Sequence, residues 1–322
     1  MYNEPIFLEP VFQERIWGGE KLRTNFGYTI PSDKTGECWG ISAHPNGESV
    51  VKNGPLHGRR LSALWSGHPE LFGNPKEDTF PLLVKILDAA EDLSVQVHPD
   101  DNQAQELEKG EAYGKTECWY VLEAEDGAEL VLGHHAESKK ELSEYMKMGA
   151  WDRLLHKVPI QKGDFFYVPS GTIHAIGKGT LILETQQSSD TTYRVYDYDR
   201  LNPDGSKREL HTEKSIYVTR TPHENVQPER SSVLETEEAK VEQLVSSPFF
   251  SVIHLQVNGS YEPDFNSSYQ LISVTEGKLE IITEDETFQA EKGEHFILPS
   301  TLKSVVFQGS GEMIASSPDS LL

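Results

Sequence analysis

Alternation of apolar and polar residues, the period-two signature of a half-buried strand, recurs along the first two thirds of the chain. Such runs, or short apolar runs bounded by turn residues, cover 36–51, 80–87, 93–98, 118–122, 129–132, 164–168 and 180–184 and predict strands. That supply of short strands suits a jelly roll. Helical periodicity is confined to 60–71, 102–108 and 138–148. The last stretch opens on Ser138-Lys-Lys-Glu141, the spacing of a capping box, and its Leu142, Tyr145 and Met146 share one face, which predicts packing against a sheet. Residues 226–239 are polar, acidic and poor in apolar side chains. They predict a linker between a first lobe, 1–225, and a second, 240–322.

The second lobe repeats part of the first. The segment from Gly293 through Pro299 and Thr301 to Ser304 aligns with Gly163 to His174 at a constant offset of 130. Thr301 then stands where Gly171 stands, Ser304 where His174 stands, and His295 where the core residue Phe165 stands. The run 271–282, with Gly277 near its middle, predicts a strand, a glycine turn and a returning strand. A duplication whose second copy is metal-free follows from this pattern.

Composition narrows the class. At 322 residues the chain exceeds the usual single core, so two lobes are expected, and 25 glycines with 18 prolines suit strands and turns. The formal charge of -23 argues against a nucleic-acid or anionic-membrane surface. No apolar run is long enough to span a bilayer, the start Met-Tyr-Asn-Glu-Pro lacks the basic end of a signal peptide, and there are only 2 cysteines. A cytoplasmic protein, monomeric or weakly dimeric, is the expectation. Cys38 and Cys118 each sit in a Glu-Cys-Trp triplet and read as buried packing thiols.

Candidate chemistry gathers in three places. The run Gly163-x5-Pro169-x-Gly171-x2-His174 reads as strand, tight turn and strand, with a histidine emerging just past the turn. In Leu93-Ser-Val-Gln96-Val-His98-Pro99, alternation sends Gln96 and His98 to one face and Val95 and Val97 to the other. Glu117 opens an apolar, aromatic strand, either as a third ligand or as a solvated edge carboxylate. Together Gln96, His98, Glu117 and His174 form a mixed nitrogen and oxygen set with one anion. It suits Zn²⁺ with one open position, and its donors also fit Fe²⁺, Mn²⁺ or Co²⁺.

The turn that carries His174 resembles the second cupin motif. Gln96-Val-His98-Pro-Asp100, Lys115-Thr-Glu117 and Glu184-Thr-Gln-Gln-Ser-Ser-Asp190-Thr-Thr-Tyr-Arg194 resemble the type I, cupin-class mannose-6-phosphate isomerases. The similarity is closest to the short bacterial form, including Trp17-Gly-Gly19 and Phe26-Gly27. One departure is Lys178, where the general cupin pattern has asparagine. The resemblance implies an all-β double jelly roll, a bicupin, with a few short helices inserted in the N-terminal lobe. It implies one zinc ion per chain on Gln96, His98, Glu117 and His174, and an essential arginine at Arg194. It also implies isomerisation of a phosphosugar through a cis-enediolate.

Further residues take provisional roles. Lys85, a lysine inside the apolar run 82–87, reads as a proton shuttle or a phosphate contact, or as a lysine that merely snorkels. Lys115 shares a strand face with Glu117 or is a solvated strand end, and Asp190 orients Arg194, transfers a proton or forms an Asx turn. Two rival functions use the same residues: an iron oxygenase with a two-histidine, one-carboxylate centre, and a sugar-binding regulatory bicupin without turnover.

Overall fold

The computed structural model describes residues 2–202, 204–264 and 268–319. Three antiparallel sheets are stacked in it. The nine-stranded sheet runs Ser231–Glu235, Ala239–Ser246, Ser251–Tyr261, Val306–Ser317, Gln270–Ile282, His295–Leu298, Ile6–Glu9 and Val50–Val51, and Thr287–Glu291 pairs onto Gln270–Ile282. The six-stranded sheet runs Phe165–Val168, Glu117–Ala124, Thr180–Gln187, Leu82–Ala89, Thr35–Ile41 and Val11–Gly19. The five-stranded sheet runs Tyr193–Tyr196, Val95–Val97, His174–Ile176, Glu129–His134 and Leu155–Pro159. The fold is all-β with short helices.

Period-two alternation divides each strand between two cores. Leu82, Val84 and Ile86 face the second lobe, in a core shared with Ile6, Leu8, Leu271 and Ile297. Leu87 and Ala89 face the five-stranded sheet, in a core shared with Trp17, Trp119, Ile176 and Ile182. In the second lobe, Phe7, Ile253, Ile272, Phe296 and Met313 fill the inside of the nine-stranded sheet as it curls on itself. Helix Lys139–Met148 sets Leu142 and Met146 against Val95, Val97 and Val131 on the outer face of the five-stranded sheet, with Tyr145 at the edge of that core. Ser138 caps the helix by accepting from the Glu141 amide at 3.2 Å, but the Glu141 carboxylate accepts from Glu137 N–H, so the capping box is half formed.

Several expectations need correction. The run 36–51 is not one strand: Pro45 and the Gly47 N–H to His44 carbonyl bond turn the chain, and only Thr35–Ile41 and Val50–Val51 are extended. The 60–71 helix breaks before Pro69, which has no N–H and crowds the preceding turn; Leu61–Gly67 is α-helical and Pro69–Phe72 is a 3₁₀ turn. Gly277 makes no hairpin. Gln270–Ile282 is one strand along Val306–Ser317, with a bulge between Val274 and Glu276. Gly277 lies just past that bulge at φ +75°, where a Cβ would come 2.2 Å from the Ser310 carbonyl. Within 226–239, Ser231–Glu235 forms an exposed edge strand.

The repeat is visible in hydrogen bonds. Thr172 N–H to Pro169 O (3.1 Å) is matched by Leu302 N–H to Pro299 O (3.0 Å), and Asp164 to Gln161 by Glu294 to Glu291. Val168 lies opposite Glu117 as Leu298 lies opposite Gln270, so Gln270 and Ser304 hold the positions of Glu117 and His174.

Candidate active site

The six- and five-stranded sheets face each other, and the same alternation that builds the core between them directs polar side chains into a cavity at one end. Glu37, Lys85 and Glu184 enter it from the six-stranded sheet, with Glu117 buried behind Lys115, each on the face opposite its apolar neighbours. Gln96 and Arg194 enter from the other, with His98 and His174 buried beside Glu117. Gln96 sits directly across from both His174 and Arg194, so the three form one row across three strands. Alternation sends Arg194 inward between Tyr193 and Val195 of the outer core, and the bulge after it keeps Tyr196 on that outer side as well. The turn before His174 is tied to the other half of the site by Gly171 N–H donating to the His98 carbonyl at 2.8 Å. Gly171 has φ +81°, and a Cβ there would sit 2.7 Å from Arg220, which explains the glycine.

His98, Glu117 and His174 offer ligand atoms within 4.8 Å of one another, all buried. His98 Nδ1 lies 2.9 Å from the Thr191 carbonyl and His174 Nδ1 lies 2.9 Å from the Thr172 carbonyl. A carbonyl only accepts, so both Nδ1 atoms carry the proton and both Nε2 atoms present a lone pair to the site. His174 Nε2 faces Glu117 Oε1 at 3.2 Å and His98 Nε2 faces Glu117 Oε2 at 3.5 Å. Among the described residues, His174 Nε2 and Glu117 Oε1 have no hydrogen-bond partner. Two lone pairs aimed at each other in a buried site are repulsive unless a cation lies between them. Burial, with the Lys115 charge also opposing, holds His174 down to about 4 and His98 well below its ordinary range, so neither takes a proton at neutral pH. Tetrahedral bonds of ~2.05 Å set neighbouring ligands about 3.3 Å apart, between the two spacings seen here. The donor set fits a divalent metal ion. Gln96, half-buried, stands across from His174 in the same row and lines the neighbouring cavity.

Cations and carboxylates alternate around the cavity, which measures about 260 Å³. Lys115 Nζ lies 2.7 Å from Glu117 Oε2 and 3.1 Å from His98 Nε2. Burial opposes its charge, but Glu117 and Glu184 outweigh that and raise its pKa. Lys85 Nζ lies 3.8 Å from Glu184 and 4.0 Å from Glu37. Glu184 accepts from the Trp119 indole at 2.9 Å, and burial, then Glu117, pushes its carboxyl up. Arg194 donates through Nη1 to the Glu209 carbonyl at 2.8 Å, while its buried Nε has no partner among the described residues. Arg208, also on the cavity wall, is held by Asp197 through Nε at 2.7 Å. Asp190 lines the cavity but does not orient Arg194: its carboxylate accepts from Asn46 Nδ2 at 3.0 Å. Sequence reasoning passed over Glu37, Glu184 and Arg208. Glu184 had a signal, a carboxylate ending the apolar run Leu181–Leu183, and Glu37 had one in the Glu-Cys-Trp triplet it shares with Glu117. Arg208 follows a loop and had none.

Residues 6–143 match the phosphomannose isomerase type I catalytic domain, and residues 240–318 match the mannose-6-phosphate isomerase cupin domain. The chain is 54% identical to a mannose-6-phosphate isomerase of Streptococcus mutans, over 97% of this chain and 98% of that one. It is 50% identical to the mannose-6-phosphate isomerase ManA of Bacillus subtilis, over 98% of this chain and 99% of the relative. Among solved structures it is similar to the mannose 6-phosphate isomerase from Bacillus subtilis, with TM-score 0.95, 48% identity, and coverage of 98% of this chain and all of the other.

Proposed function

We infer that the chain, which belongs to the type I mannose-6-phosphate isomerase family, interconverts mannose 6-phosphate and fructose 6-phosphate using one Zn²⁺ per chain. The observation that carries this reading is the confrontation of His174 Nε2 and Glu117 Oε1, buried, unpartnered and 3.2 Å apart. Gln96, His98, Glu117 and His174 would hold the ion. A divalent ion there supplies charge stabilisation to the substrate oxygens as the proton moves between C1 and C2 through the cis-enediolate. The protein supplies the rest. Glu184, whose carboxyl is pushed up by burial, lines the cavity as a proton carrier for this transfer, and Asp190 on the same wall is a second candidate. Lys85 and Lys115 bring positive charge to the sugar's reacting end, and the free Nε of Arg194, with Arg208 beside it, suits the phosphate or the developing negative charge. These cations answer how a chain of net charge -23 attracts an anionic substrate.

On this reading residues 1–225 carry the catalytic chemistry, with Ile6–Glu9 and Val50–Val51 lent to the second lobe's sheet, and 240–322 form a supporting lobe. Two buried free cysteines suit a reducing, cytoplasmic setting for a monomer or weak homodimer. The test is turnover in D₂O under nitrogen with zinc-loaded protein. Conversion without oxygen or a redox cofactor, with some deuterium at C2 of mannose 6-phosphate or C1 of fructose 6-phosphate, supports proton transfer. Strict dependence on O₂, or binding without turnover, rejects it.

A further inference from the structure

Lys85 is anchored in an unusual way. It stands on Leu82–Ala89, inside the six-stranded sheet, with a side chain only 4% exposed. Its Nζ lies 4.0 Å from Glu37 Oε2, 3.8 Å from Glu184 Oε1 and 4.7 Å from the centre of the Trp39 ring. All three distances exceed a hydrogen bond, so none of these neighbours commits an ammonium N–H. The amine is held by opposing attractions, with its donors left for whatever occupies the cavity it lines. Glu37 is the reverse case. Trp39 Nε1 donates to Oε2 at 2.6 Å, Arg15 Nε to Oε1 at 3.0 Å and Arg15 Nη2 to Oε2 at 3.2 Å. Burial opposes its charge, but Lys85 and Arg15 prevail and keep the carboxyl below the usual range.

We propose that Glu37 is a positioning residue: a fixed carboxylate, clamped by Arg15 and Trp39, whose attraction keeps Lys85 from closing onto Glu184 and leaves the ammonium free to meet substrate. This deepens, and rests on, the isomerase reading above. Without the Glu37 charge, Glu184 is the nearer of the two carboxylates and draws the amine into a closed pair. Lys85 then leaves the cavity, and Glu184 is tied up as well. Arg15 acts through Glu37, since its Nε and Nη2 are spent on the carboxylate and its Nη1 donates to the Glu14 carbonyl.

The experiment is a double-mutant cycle on full-length, zinc-loaded protein assayed with mannose 6-phosphate. Glu37→Gln should lower kcat/KM on the order of 30-fold in the native background, yet less than about 3-fold when Lys85 is already Met, because both changes remove the same contact. Glu37→Asp, which keeps the charge, should recover most of the loss. Equal factors in both backgrounds, or no recovery by Asp, would assign Glu37 a merely structural role and overturn the proposal. Acylation of Lys85 by succinimidyl acetate, followed by peptide mass spectrometry on resting protein, gives a readout that needs no turnover. Glu37→Gln should slow labelling several-fold, and unchanged labelling overturns the proposal. If Glu37→Gln unfolds, Arg15→Met, which loosens the clamp on the Glu37 carboxylate, paired with Lys85→Met carries the same comparison. Native protein that is inactive on mannose 6-phosphate would defeat the isomerase reading, while the labelling result still decides the role of Glu37.

Discussion

Lowering pH from 7.5 to 5.0 should destabilise the protein through histidines buried neutral, and His295 gives the cleanest case. It is 1% exposed, with Nδ1 at 2.8 Å from Ser273 Oγ and Nε2 at 3.1 Å from the Tyr28 hydroxyl. Burial, with a smaller push from Lys52, lowers its pKa to about 3. In the unfolded chain a histidine titrates near 6.5, so between 6.5 and 3 the unfolded state binds the proton and the folded state does not. Stability is therefore complete above about 6.5 and falls as pH drops through that window. At pH 5.0 the gap is ~1.5 pH units at ~1.4 kcal/mol each, or about 2 kcal/mol for this one residue. His174, held to about 4, adds a similar amount in metal-free protein. Carboxylates such as Glu37, whose folded pKa lies below the usual range, lose stability only below ~5, outside the window. The assay is urea unfolding of metal-free protein at pH 7.5 and 5.0, followed by tryptophan fluorescence, for the native chain and for His295→Gln. Whatever the variant costs at pH 7.5, its loss on going to pH 5.0 should be smaller than the native loss by about 2 kcal/mol. Equal losses would refute the reasoning.

Three further outcomes follow from the site. His174→Ala should lose the bound ion and the activity together while the second lobe stays folded, checked by elemental analysis and circular dichroism. Arg194→Ala should keep the ion and the melting temperature but lower kcat/KM by ~10² or more, since it removes one charged stabiliser; full activity removes Arg194 from the site. Trp119→Phe deletes the indole donor to buried Glu184 and should cost about 1–3 kcal/mol in denaturant unfolding, whereas a change within ~0.5 kcal/mol contradicts that bond.

Local pattern carried much of this protein, and its limits have physical causes. Gln96 and His98 were readable together because strand alternation is a two-residue rule, and His174 because its turn needs Gly171 at positive φ. Glu37 and Glu184 were missed because what brings them to Lys85 is strand order within the six-stranded sheet, a long-range pairing that periodicity does not encode. The same limit explains Ile6–Glu9, whose neighbours are His295–Leu298 and Val50–Val51: nothing local to residues 6–9 says they complete the second lobe's sheet. At Gly277 a positive-φ glycine was consistent with a turn or a bulge. Continuous pairing along Val306–Ser317 decided for the bulge. Asp190 could not be assigned because its partner, Asn46, lies 144 residues away.

The central claim is an aldose-ketose isomerase whose metal ion is held by His98, Glu117 and His174. Its most direct test is to strip the protein with chelator and titrate Zn²⁺ back while following conversion of mannose 6-phosphate to fructose 6-phosphate. The account predicts no turnover at zero metal, a linear rise, and a break at one ion per chain. Full turnover by metal-free protein, or zinc-saturated protein that binds the sugar phosphate and never converts it, would contradict it.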